Sequence, residues 1–85
     1  MQSRVAVVAI VVEDPDSVGR LNGLLHEYAP YVVGRMGIPY RQRGISVISV
    51  AVDAPMDTIS ALVGKVGSIP GVSAKTAYSN AIFYD

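Results

Sequence analysis

The sequence contains no cysteine and no tryptophan, and His26 is its one histidine. Without cysteine the chain cannot form a disulfide, present a thiolate nucleophile or ligate an iron–sulfur cluster. One histidine cannot supply the histidine pair that a metal site within one chain commonly uses. We therefore expect no metal, no cofactor and no catalytic residues, and hence a non-enzymatic protein.

Charged side chains are also scarce, and their signs balance. The chain has seven Lys and Arg residues and seven Asp and Glu residues, and charged residues make up 16% of it. Nucleic acids and anionic membranes attract clustered cations, so we expect neither as a partner. The apolar run Val5–Val12 is far shorter than the roughly 20 residues of a membrane-spanning helix. We expect a cytoplasmic protein.

An internal repeat organises the chain, which at 85 residues has the length of one domain, residues 1–85. Residues 16–23 and 57–64 share an acid, a small hydroxyl residue, a β-branched residue, and then Leu and Gly. Each copy stands between two apolar runs, a pattern that predicts strand–helix–strand twice. The predicted elements are strands at residues 4–12, 31–38, 45–53 and 72–78, and helices at 15–28 and 55–67.

This βαββαβ order predicts an α+β fold of the ferredoxin-like type, with a four-stranded antiparallel sheet and both helices on one face. Right-handed crossovers place the first and third strands at the centre. The first strand is apolar on both faces and the third is nearly so, whereas the second and fourth carry Arg35, Lys75 and Thr76. Polar residues of this kind are typical of edge strands.

Two apolar central strands leave Val or Ala on the sheet face that the helices do not cover. An open apolar face of several hundred Å² is unusual for a soluble monomer. The sequence therefore predicts a homodimer or tetramer that buries this face or a strand edge. The alternative is that the C-terminal residues 80–85, which include three large apolar side chains, fold over it.

The turn after the first strand holds one group of candidate ligand-binding residues, Asp14, Asp16 and Ser17. Two carboxylates this close can act as an acid–base pair. More often they cap the helix that follows, and Pro15 suits its first position.

A stripe of small residues follows the first helix. Gly19 and Gly23 lie on the side of His26, and Ser60 and Gly64 occupy the same places in the second helix. The favoured interpretation is that the helices pack side by side through these residues. The alternative is a binding site for a partner or ligand beside His26. A third interpretation is that His26, near the C-terminus of the helix, acts as a cation that interacts favourably with the helix dipole.

Arg35, Arg41 and Arg43 gather around the predicted hairpin with Tyr40. Guanidinium groups bind carboxylate or phosphate bidentately, so this group is a candidate anion site. A solvated hairpin and ion pairs between subunits are the alternatives.

Several segments together resemble the iron-only hydrogenase system regulator family. They are Leu-Leu-His at 24–26, Gly-Arg-Met-Gly-Ile-Pro at 34–39 with Arg41, the run 57–67, and Pro-Gly-Val at 70–72. Family members resemble ACT domains and the C-terminal domain of nickel-responsive repressors. The resemblance implies a ferredoxin-like fold, assembly into dimers or tetramers, and a regulatory, small-molecule-sensing role.

The sequence thus predicts a regulatory or ligand-sensing module linked to that hydrogenase system and working through an oligomer interface, with a small molecule or another protein as partner. A purely structural interaction module without a ligand is the alternative. A small enzyme with an active site between subunits is the third and weakest interpretation.

Overall fold

The computed structural model describes residues 2–84. The βαββαβ order predicted from the repeat is confirmed, and short 3-10 turns stand before α1, before β2 and in the β2–β3 hairpin. The elements are β1 (Gln2–Val12), α1 (Val18–Glu27), β2 (Val32–Tyr40), β3 (Ile45–Ala54), α2 (Met56–Gly67) and β4 (Val72–Tyr84).

The four strands form one antiparallel sheet in the order β2-β3-β1-β4. The two most apolar strands, β1 and β3, lie at its centre as predicted. The fold is α+β, with a four-stranded antiparallel sheet and two helices.

A single apolar core joins the helices to one face of the sheet. Alternate residues of β1 and β3 point into it, because side chains along a strand alternate between faces. The helices contribute residues three or four positions apart, which share one helix face. Fully buried members include Val8, Ile10, Val50, Val52, Leu21, Ile59, Leu62 and Val66.

The helix starts are close to those predicted. The Asp14 carboxylate accepts a hydrogen bond from the Asp16 N–H at 3.0 Å, and Pro15 opens the 3-10 turn that leads into α1. Pro55, predicted as the first residue of α2, is its N-cap instead. Its extended backbone turns its carbonyl toward the N–H groups of Thr58 and Ile59, which would otherwise lack partners.

β4 is longer than the pattern predicted and continues to Tyr84. Its end pairs with the start of β1, where Ser3 lies opposite Phe83. The C-terminal segment described by the structure therefore extends the sheet, and the alternative that it folds over the sheet face opposite the helices is wrong. This pairing makes the molecule elongated, with extents of 43 × 19 × 17 Å.

A bulge interrupts the β1–β4 pairing just before this extension. Arg4 spans it: its Nη2 donates to the Ser79 carbonyl at 2.7 Å, and its guanidinium lies 5.3 Å from the Tyr78 ring centroid. These contacts hold the two strands together where the register changes.

Within residues 2–84, the structure has no helix of the length and apolar character needed to cross a membrane.

The glycine stripe does not join the two helices. A Cβ added at Gly19, Gly23 or Gly64 would meet no atom within 4 Å. The prediction that the two helices pack side by side through these small residues is therefore wrong. Both helices instead bury larger apolar side chains against the sheet.

Alanine at Gly23 or Gly64 should consequently stabilise the protein. Each substitution removes the backbone freedom of an interior helix glycine without a clash, a gain of about 0.5–1 kcal/mol. Urea unfolding at one fixed protein concentration measures the change. A loss of stability in both variants would show that another chain occupies the stripe.

Candidate functional site

The sheet face opposite the helices is apolar and exposed, as the sequence predicted. Strand pairing places one set of alternate residues from all four strands on it. Val7, Val47 and Met36 are 41%, 42% and 66% exposed. We call this surface the open face; its apolar members are Val5, Val7, Ala9, Val11, Met36, Ile38, Tyr40, Ile45, Val47, Ala51 and Ala77.

The β1–α1 turn uses its polar side chains to hold itself together. Ser17 is buried, and its hydroxyl donates to the Pro70 carbonyl at 2.6 Å. The Asp14 carboxylate caps the turn, as described above, while Asp16 is exposed. The Glu13 N–H also donates to the Gly71 carbonyl at 2.7 Å. The hydrogen bonds of Asp14 and Ser17 thus serve the turn itself.

The three arginines of the predicted anion site do not lie together, because Arg35 belongs to β2 whereas the other two belong to the turn after it. Arg35 lies opposite Val50, a fully buried core residue, so its side chain is on the helix-covered face. Its Nη2 donates to the Asn22 Oδ1 of α1 at 3.0 Å. Arg41 and Arg43 lie in the 3-10 turn after β2, where Arg41 lines a different cavity of about 260 Å³.

A second cavity of about 260 Å³ brings Arg35 together with His26. We call it the α1–β2 cavity, because it lies between the C-terminal half of α1 and the sheet edge formed by β2. Two candidate residues that the sequence assigned to separate groups therefore share one cavity. Its lining comprises Asn22, Leu25, His26, Ala29, Val32, Arg35 and Val50.

Asn22 is the member of this site that the sequence analysis missed. It precedes His26 by four residues, a spacing that places both side chains on one helix face. That spacing was a usable signal for a polar pair on α1. Their proximity to Arg35 depends on strand register, which no local pattern contains.

A cavity of about 400 Å³ lies between the exposed sides of α1 and α2. Arg20 and Glu27 line it from α1, and Lys65 lines it from α2. The Lys65 Nζ lies 5.2 Å from the Tyr28 ring centroid. Interaction with the Tyr28 side chain raises the pKa of Lys65, and the Glu27 carboxylate acts in the same direction.

Metal-binding groups are not gathered at any of these places. Within the described part of the chain, no three Asp, Glu or His side chains lie close enough together to hold a metal ion.

A family model described as "TM1266-like: Iron-only hydrogenase system regulator, putative" matches residues 4–76. The chain belongs to the TM1266-like family. The resemblance found in the sequence is thereby confirmed, over most of the sheet and both helices.

Solved structures include a relative of the same family. The TM1266 protein from Thermotoga maritima is 38% identical to this chain, with a TM-score of 0.85. The similarity covers 89% of this chain and 96% of that one. No curated protein matches this member of the TM1266-like family.

Proposed function

We propose that this protein is a non-enzymatic, cytoplasmic regulatory module of the iron-only hydrogenase system that works as a homo-oligomer and responds to a small ligand. Its family supports the regulatory role. The strand order β2-β3-β1-β4 supports assignment to the ferredoxin-like, ACT-type fold. The observation on which the proposal depends is the open face.

The open face is large for the size of the molecule. Four strands spaced about 4.8 Å apart, each contributing roughly eight residues, give a projected area of roughly 500 Å². The whole chain exposes 5318 Å², whereas a typical monomer of its mass exposes roughly 4,850 Å². Burial of the open face would remove apolar surface from water and lower this total.

A second copy of the chain is the occupant that fits best. Two such faces together bury roughly 1,000 Å², which is the lower limit for a specific interface. The net charge of zero gives no repulsion between copies. The open face carries one Lys and one Asp among mostly apolar residues, which is the composition expected of a homodimer interface.

Sedimentation equilibrium at micromolar concentration tests the assembly. We expect the mass of a dimer or tetramer, because association would bury the open face. A monomer at all concentrations would contradict the proposal.

Thermal unfolding with amino acids, nucleotides, short carboxylates and divalent metals tests the response to a ligand. A ligand at a hundred times its dissociation constant stabilises the folded state by about 2.7 kcal/mol. We expect stabilisation by at least one of these classes. Assembly without any response would instead favour the purely structural interaction module.

A further inference from the structure

The α1–β2 cavity has a polar rim and an apolar wall. The accessible apolar part of its lining is formed by Ala29, which is exposed, and Val32, which is half-buried. Asn22, His26 and Arg35 are exposed at its rim. A molecule bound there would meet hydrogen-bonding groups at one end and aliphatic side chains at the other.

The positive charge at this rim lacks a counter-charge within the cavity. The hydrogen bond of Arg35 goes to the side-chain oxygen of Asn22, at 3.0 Å. An amide oxygen carries no net charge, and none of the described lining residues is Asp or Glu. The guanidinium is therefore available to an anion.

The polar atoms that remain free at the rim are mainly donors. The hydrogen bond from Arg35 occupies the Asn22 oxygen and leaves the Asn22 amide N–H groups free. The guanidinium has five N–H groups in all, and the neighbouring imidazole of His26 supplies another donor. Donors around a positive charge favour a ligand rich in acceptor oxygens.

We infer that the α1–β2 cavity binds a short aliphatic monocarboxylate. The carboxylate lies against Arg35 and Asn22, with His26 beside it, and the alkyl chain lies along Ala29 and Val32. The volume of about 260 Å³ is below the roughly 300–1,000 Å³ of common ligand sites, which limits the chain to a few carbons. This inference rests on the proposed function, since it names the class of ligand to which the module responds.

Titration of the ¹⁵N-labelled full-length chain with sodium butyrate tests the site by NMR. We expect saturable shifts of the Asn22 side-chain amide and of the Arg35 Nε–H. At the same ionic strength, n-butylammonium chloride should leave them unchanged because its charge is reversed. Inorganic phosphate should bind more weakly, since it leaves the apolar wall uncovered.

Arg35→Gln removes the charge and should weaken butyrate binding by at least about tenfold. Arg43→Gln, the same change in the hairpin turn outside the cavity, is the matched control and should bind butyrate as the parent does. Asn22→Asp supplies a carboxylate within reach of Arg35 and should abolish butyrate binding while the protein stays folded.

Three results would overturn the carboxylate site: no saturable shift with butyrate, unchanged affinity in Arg35→Gln, or phosphate or butylammonium binding as tightly as butyrate. Sedimentation of the same samples separates this inference from the proposed assembly. An oligomer that does not bind butyrate would overturn only the carboxylate site. A monomer that binds butyrate overturns only the assembly.

Discussion

Ala51→Lys is expected to dissociate the proposed assembly, weakening association by at least about 100-fold. Ala51 lies in β3 on the open face, directly opposite Val7 of β1 and Gly34 of β2. In the monomer the new lysine extends into water. In a face-to-face oligomer its ammonium would be buried among mostly apolar side chains, which costs several kcal/mol for each copy.

Ala61→Lys is the matched control, because it makes the same chemical change at an exposed position of α2. Sedimentation equilibrium should show a monomer for Ala51→Lys and the parental mass for Ala61→Lys, with circular dichroism confirming that both are folded. If both variants keep the parental mass, the open face is not the interface. Dissociation of Ala61→Lys alone would place the interface on the helices.

Gly71→Ala is expected to lower the free energy of unfolding by about 3 kcal/mol. Gly71 has a φ of +72°, in the left-handed region that side chains rarely adopt. An added Cβ would also lie 2.6 Å from the Asp14 Cβ and 3.1 Å from the Asp14 nitrogen. The clash would push apart the β1–α1 and α2–β4 turns, which the Glu13–Gly71 hydrogen bond now joins.

Gly44→Ala separates the two causes of this effect. Gly44 has a similar φ of +67°, but an added Cβ there meets no atom within 4 Å. Gly44→Ala should therefore lower the free energy of unfolding by the cost of the left-handed backbone alone, about 1–2 kcal/mol. Urea unfolding of both variants measures the difference. Equal losses of unfolding free energy in the two variants would mean that the turns move apart without cost. The contact of the added Cβ with Asp14 would then contribute nothing.

The fold was predictable from the sequence because its determinants are local. Alternation and apolar runs mark the strands, and the Asp14–Pro15 pair marks the first helix start. The end of β4 was missed because Ser79 and Asn80 interrupt the apolar pattern. Pairing beyond that point depends on the bulge and on the contact of Arg4 with Ser79, which join residues at opposite ends of the chain.

The candidate site was only partly predictable, for a related reason. Arg35 and His26 could be named as candidate binding residues from their chemistry. Their shared cavity depends on register: Arg35 pairs with Val50 and therefore lies on the side of α1. The three arginines were grouped by their proximity in sequence, whereas side chains in a strand and in the turn after it point in different directions.

The length that β4 adds to the molecule has a practical consequence for mass determination. With one axis more than twice either of the others, a single copy has more friction in solution than a sphere of equal mass. It will elute early from a gel-filtration column calibrated with globular standards and can be mistaken for a dimer. Light scattering, which reads mass independently of hydrodynamic radius, avoids this error.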